Sequence, residues 1–327
     1  MASIDMDRAI IEIFHGKNGG VVSGEELSSK LNVSRTAIWK HVKSLKAIGY
    51  EIEAVPSQGY RLVSVPDILS PVEIEASLAT ERIGRRVVCV READSTNILA
   101  FKMAEEGAEE GTTVIADCQR AGKGRMGRRW ESPSGVNLYC SVILRPQILP
   151  FLAPQLTLMS AVAVARTIDS TTNLRSQIKW PNDILVNGCK VAGLLNELSA
   201  ETEGVNFVIL GIGVNINMER GQFPPDLRYP ATSLAIEQGK AVRRLEFVRA
   251  LLRSLDELYA LFLRKGDGAI RDLWLERCNV LGRRIKVSGQ QDGLTGVVTG
   301  VDEFGGLLVR TDDGREERIL AGDVTLV

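Results

Sequence analysis

Twelve residues narrow the possible folds of this chain more than any other stretch: Gln119-Arg-Ala-Gly122-Lys123-Gly124-Arg125-Met126-Gly127-Arg128-Arg129-Trp130. Three glycines, five basic side chains and no acid describe a loop made to close over an anion. Glycine lets backbone N–H groups converge, and lysine and arginine neutralise carboxylate or phosphate charge. A solvated basic turn would explain the charge, but not the spaced glycines or the closing aromatic. Gly122, Gly124 and Gly127 fit G-x-G-x-x-G, and Thr113-Val-Ile-Ala116 ahead of them reads as a strand. A dinucleotide fold must open a helix next. Here Pro133 and Gly135 bring a turn, and the apolar run 137–144 reads as a second strand. A P-loop needs glycine at 117 and a hydroxyl after the lysine, where Asp117 and Gly124 stand. Strand, loop, strand excludes both of these folds.

Histidine usage limits the chemistry. Only His15 and His41 occur, so nothing beyond residue 41 can use imidazole as a base or metal ligand. A reaction in that larger part must rely on carboxylates, lysine, arginine and backbone donors, the means by which nucleotidyl transfer works. The five cysteines (Cys89, Cys118, Cys140, Cys189, Cys278) are scattered and show no C-x-x-C spacing. With Asp5 and Asp7 in place of a basic leader and no apolar run approaching 18 residues, they predict a reduced, cytoplasmic protein off the membrane, with no structural metal site.

At 327 residues, with 25% charged side chains, the chain predicts two or three α+β domains. Residues 1–64 read as a winged helix-turn-helix. Ile10, Ile11, Ile13 and Phe14 give a first apolar helix face, Ser23 and Glu26 a capping box, and Ser34 the N-cap of a helix running to Gly49. Its inward stripe is expected at Ile38, Val42, Leu45 and Ile48, with Trp39 as packing, and residues 51–55 and 60–63 as the wing. Ser34, Arg35, Thr36, Lys40 and Lys43 are the expected DNA contacts. Eight Lys and Arg stand against seven Asp and Glu in this module, yet all four charges between 35 and 46 are positive. A protein-binding winged helix would carry the same pattern. Residues 65–70 read as a linker, 71–276 as a central α/β catalytic domain, and 277–327, with short strands at glycine turns, as a small SH3-like β-barrel.

Four clusters join the loop in the central domain. Asp94-Ser95-Thr96-Asn97 opens a helix and on its own reads as capping. Lys179-Trp-Pro-Asn182-Asp183 combines a cation, a rigid bend and a carboxylate before a strand. Lys190-Val-Ala-Gly193 follows an Asn187-Gly188 hairpin turn, and Gly211-Ile-Gly-Val-Asn215 leaves a buried strand with an amide suited to a purine edge.

In this order the motifs resemble the bifunctional biotin–protein ligase and biotin-operon repressor family along essentially the whole chain, including Ser34-Arg-Thr-Ala-Ile-Trp-Lys-His41. The resemblance implies a biotin/lipoate-ligase-like catalytic domain that converts biotin and MgATP to biotinyl-5′-adenylate. The biotinyl group then passes to a lysine of a biotin carboxyl carrier protein, an acetyl-CoA carboxylase subunit. It also implies an adenylate-bound homodimer that represses at operator DNA. By the same resemblance Ser95, Thr96, Asn97 and Gln119 meet biotin's rings; Lys123, Gly124 and Arg125 form the loop over the acyl phosphate; and Lys190, with Lys179 beside it, meets carboxylate and phosphate. Trp130, Asn182 and Asn215 fall on the nucleotide side, and Asp183 is assigned to metal or the incoming lysine. Lys123 departs from the arginine of many members, losing the bidentate fork. A C-terminal arginine reaching the site is not placed by the sequence; Arg315 and Arg318 are the options. A lipoate-type ligase and a non-catalytic biotin-sensing repressor remain the alternative readings.

Overall fold

The computed structural model describes residues 2–76, 78–227, 229–266, 268–288 and 293–327. Its contacts divide into two compact units, Met1–Ser77 and Leu78–Val327.

The first unit contains α1 (Ala2–Gly16), α2 (Gly24–Leu31), α3 (Arg35–Ala47), β1 (Glu51–Val55), β2 (Gly59–Ser64) and α4 (Pro71–Glu75). Ser23 Oγ accepts from Glu26 N at 2.9 Å and starts α2; Asn32, in the left-handed region at φ 53°, ends it. Ser34 Oγ then accepts from Ala37 N at 3.2 Å and starts α3. A left-handed C-cap at Asn32 followed two residues later by the Ser34 N-cap is what bends one helix against the next. Ile10, Phe14, Leu27, Ile38, Val42 and Leu45 close the core. Two expectations fail here. Ile48 is 54% exposed because α3 stops at Ala47 and the chain turns away, and Trp39 is 52% exposed on the solvent side of α3. Gly59, at φ +136°, crosses so close to the chain ahead of α2 that a Cβ would lie 2.1 Å from Val22 O, and Val22 and Tyr60 bond there through both backbone groups.

Helix α4 lies outside the 1–64 module read from the sequence, yet it packs into the first unit. Glu73 is fully buried, accepts from Tyr50 OH at 2.9 Å and stands 3.1 Å from His15 Nε2. The contact division therefore falls after α4, not within residues 65–70.

The second unit is built on a seven-stranded mixed sheet and a five-stranded antiparallel one. In chain order the elements are β3 (Val87–Ala93), α5 (Thr96–Glu105), β4 (Thr113–Gln119), β5 (Leu138–Leu144), α6 (Pro154–Thr171), β6 (Ser176–Lys179), β7 (Asp183–Val186), β8 (Cys189–Glu201), β9 (Gly204–Val214), α7 (Leu234–Gln238), α8 (Arg244–Lys265) and α9 (Gly268–Leu275). The large sheet runs β3-β4-β5-β9-β8-β7-β6; only β3 and β4 pair in parallel. The strand β6 and the full length of the β8–β9 hairpin exceed what the sequence pattern predicts. Polar residues such as Asn196 and Glu197 interrupt the apolar run, although the backbone stays extended.

Strand alternation assigns the faces. Ala100 and Ala104 of α5 pack with Val114, Ile143, Phe207 and Ile209 on one face. Asn196, out of phase with Leu195 and Glu197, reaches Thr157 of α6 at 2.9 Å on the other. The segment Pro150–Thr171 is long and apolar enough to cross a membrane, but 72% of its apolar window is buried inside the fold. Strands β10 (Arg284–Ser288), β11 (Thr295–Val301), β12 (Leu307–Thr311), β13 (Glu316–Ile319) and β14 (Asp323–Leu326) form the second sheet, in the order β13-β12-β11-β10-β14. The region read as a small SH3-like barrel from its short strands at glycine turns forms one five-stranded antiparallel sheet. It meets the large unit where Trp180 Nε1 donates to Gly305 O at 3.1 Å.

Candidate functional site

Where α5 ends its cover of the large sheet, the sheet face is nearly bare. Gly193 pairs with Gly213 and Leu195 with Gly211 on adjacent strands, so three of four neighbouring positions on that face lack a side chain. A cavity of about 530 Å³ opens above them. Trp130 lies on the paired glycines: a Cβ on Gly213 would come within 2.7–2.9 Å of its indole, and one on Gly193 within 3.0 Å. A Cβ on Gly211 would meet Asn97 Oδ1 at 2.3 Å.

One end of the cavity is a fixed polar network. Gln119 Oε1 accepts from Thr96 N at 2.9 Å, while Gln119 Nε2 donates to Ser132 Oγ at 2.9 Å. Asn97 Nδ2 donates to Leu195 O at 3.0 Å and to Glu197 Oε2 at 2.7 Å. Ser141 Oγ sits 2.8 Å from Thr96 Oγ1 and 2.7 Å from Asn97 Oδ1. Such a network holds Thr96 and Gln119 in fixed rotamers at the cavity wall, beside Ser95. Asn97 lines the cavity as well, but its amide is engaged inside the protein.

A second part of the lining is basic. The glycine loop is closed by Gly124 N donating to Arg128 O at 2.7 Å and Trp130 N donating to Gly122 O at 2.9 Å. Gly122 is required there, because a Cβ would lie 2.5 Å from Trp130 O. Lys123, Arg125, Arg128 and Arg129 all line the cavity. Burial lowers the Arg125 guanidinium below its ordinary pKa, while Asp323 and Asp183 oppose the shift; it remains a cation at neutral pH. Its Nη1 reaches Asn182 Oδ1 at 3.4 Å, and Asn182 Nδ2 donates to Leu194 O at 2.7 Å.

Three of the cavity's cations already hold carboxylates, Arg129 through its Nε, 3.1 Å from Glu131 Oε1. Lys190 Nζ stands 2.5 Å from Asp183 Oδ1, paired by distance although without hydrogen-bond alignment, and 5.4 Å from the centroid of Trp130. Arg128 Nη2 pairs with Asp323 of β14. Asn215 is buried, donates from Nδ2 to Thr232 O at 3.1 Å and still borders the cavity.

Of the residues singled out in the sequence, twelve line the cavity: Ser95, Thr96, Asn97, Gln119, Lys123, Gly124, Arg125, Trp130, Asn182, Asp183, Lys190 and Asn215. Lys179 does not. It stands a layer back, its Nζ 4.1 Å from the centroid of Tyr229, and Tyr229 faces the cavity. Arg315 pairs with Asp313 and Arg318 with Asp302, and neither borders the cavity. Sequence reasoning missed Ser132, Ser141, Tyr229 and Asp323, because isolated polar residues on strands and loops carry no local signature. Of the loop Glu219 to Pro230, Phe223, Pro224, Asp226 and Leu227 line the cavity, whereas residue 228 lies outside the described residues. In the first unit Arg35, Thr36, Lys40 and Lys43 are exposed along α3, with Ser34 as its cap; Arg35 pairs with Glu25 at 2.8 Å.

Comparison with known proteins finds three family models in series: an HTH domain at residues 7–61, the Biotin/lipoate A/B protein ligase family at 89–215 and the Biotin protein ligase C terminal domain at 280–327. The bifunctional ligase/repressor BirA of Bacillus subtilis is 38% identical over 317 residues, covering 97% of each chain. That of Escherichia coli is 30% identical over 309 residues, covering 94% of each. Among solved structures, biotin protein ligase from Aquifex aeolicus in complex with biotin and ATP superposes with a TM-score of 0.64 at 31% identity, over 74% of this chain and 99% of that one. The central sheet and its cavity are therefore those of a biotin/lipoate-type protein ligase. The winged helix and the full-length matches narrow this further: the chain belongs to the family of bifunctional biotin–protein ligases and repressors, which separates it from the lipoate-type and non-catalytic alternatives.

Proposed function

We propose that the cavity takes biotin at its polar end and ATP at its basic end, joins them as biotinyl-5′-adenylate, and passes the biotinyl group to a lysine of a carboxyl carrier protein. The single observation that carries this is that Lys190, Arg125 and Arg128 line the same cavity as the hydrogen-bonded, uncharged side chains of Thr96 and Gln119. A carboxylate attacking the α-phosphorus is anion against anion. Lysine and arginine first cancel the repulsion, then stabilise the charge as pyrophosphate leaves.

In this reading Ser95, Thr96 and Gln119 hold the fused rings by their hydrogen-bonding groups, and Trp130 and Asn215 border the base. Lys123, Gly124 and Arg125 order over the mixed anhydride and exclude water from it. The acceptor amine then forms the amide bond as AMP departs, and Asp183, exchanged off Lys190 by the phosphate, is placed to take the ammonium proton. Among the described residues no three metal-type side chains come together, so Mg2+ would enter with the ATP phosphates, with Asp183 one of the lining carboxylates that could join them. The N-terminal unit would bind operator DNA as part of an adenylate-bound homodimer.

Pyrophosphate–ATP isotope exchange tests the first step. Exchange should require biotin; exchange without biotin, or none with it, would overturn the assignment.

A further inference from the structure

Of the tryptophans at positions 39, 130, 180 and 274, two are buried to 2% and 0% exposure and one forms the cavity floor, whereas Trp39 is 52% exposed. It sits in the N-terminal half of α3, the half that reaches base edges when such a helix enters the major groove. Arg35, Trp39 and Lys43 follow at four-residue steps, so the indole stands on one helix ridge with a cation a turn to either side. Lys43 Nζ lies 5.5 Å from the ring centroid. Ile38, Val42 and Leu45 close the core on a different face, so packing does not account for the indole.

Cations on such a ridge suit phosphates, but an indole between them needs an apolar feature. The major groove offers one on its base edges, the thymine 5-methyl group. We infer that Trp39 is a sequence-reading residue that seats a thymine methyl in each half-site, with Lys43 holding its ring in place. This rests on the DNA-binding reading of the first unit and adds to it a named base.

The test uses the full-length protein with biotin and MgATP. A duplex is selected from a random pool, and each thymine in turn is replaced by uracil, which lacks only the methyl. At one thymine per half-site, uracil should weaken the parent roughly fourfold, the loss for one methyl-sized group. Trp39→Ala should bind the parent duplex at least fourfold more weakly and be indifferent to uracil there, with biotin-dependent pyrophosphate exchange unchanged. Duplex should quench Trp39 emission, a signal lost in Trp39→Phe. Equal uracil sensitivity of parent and Trp39→Ala at every thymine would overturn the inference and leave DNA binding intact. Selection of no duplex at all would overturn both.

Discussion

Trp130 keeps its place through what is missing beneath it. Gly193 and Gly213 face each other across β8 and β9, and the indole rests where their side chains would be. Gly213→Ala puts a methyl within 2.7 Å of the ring, so the indole must lift into the space beside the base. Base–aromatic stacking is worth about 1–3 kcal/mol, so ATP affinity should fall roughly five- to 150-fold while biotin affinity changes less than twofold. Calorimetry with each ligand separates the two; an equal loss of both would remove Trp130 from the nucleotide side. The seat could be named only in part beforehand. Glycines 193 and 213 were visible as motif positions, but their pairing depends on the register of a hairpin that turns at residues 202–203. Lys179 shows the reverse case: its motif was legible, yet the cavity lining in front of it belongs to Tyr229, fifty residues on.

The glycine loop and α4 are the elements whose behaviour follows most directly from their contacts. Arg125 is half-buried against Asn182 and lines the cavity, so it can clamp the phosphate of the intermediate. In Arg125→Gly the adenylate should still form but escape about ten- to 150-fold faster, the loss of one or two charge-assisted hydrogen bonds. Stopped-flow release measures this directly, and an unchanged rate would leave Arg125 without that role. Helix α4 carries a carboxylate with no exposure at all, and its removal leaves Tyr50 OH without that acceptor. A fragment of residues 1–77 should therefore be more stable than one of residues 1–64 by about 1–3 kcal/mol in urea unfolding. Elements with a plain local signal, such as the capped helix α3 and the apolar strand β5, were readable within a few residues. α4 was not, because five residues around a glutamate look like surface until a distant tyrosine and histidine close over them.

On the scale of the whole molecule, two functions share one ligand. The reading helix carries only four cations, Arg35, Lys40, Lys43 and Lys46, so a single copy should hold DNA weakly and with strong salt dependence, and two copies on a palindrome should supply the specificity. The adenylate is the expected link, since the segment after Asn217 lines the cavity through Phe223, Pro224 and Leu227. Sedimentation and operator binding should shift together on adding biotin and MgATP. Tight operator binding by a monomer would break that link without touching the ligase. The ligand-free cavity adds a condition of its own. Lys190 holds Asp183, and Arg128 holds Asp323 from a different sheet. Each tethered carboxylate competes with whatever anion drifts in, at the high effective concentration of an intramolecular partner. Inorganic phosphate and stray nucleotides, abundant in any cell, thus meet a site in which part of the positive charge is already taken. A ligand that also fills the polar part of the cavity brings extra binding energy for displacing these carboxylates, an advantage that a free anion lacks.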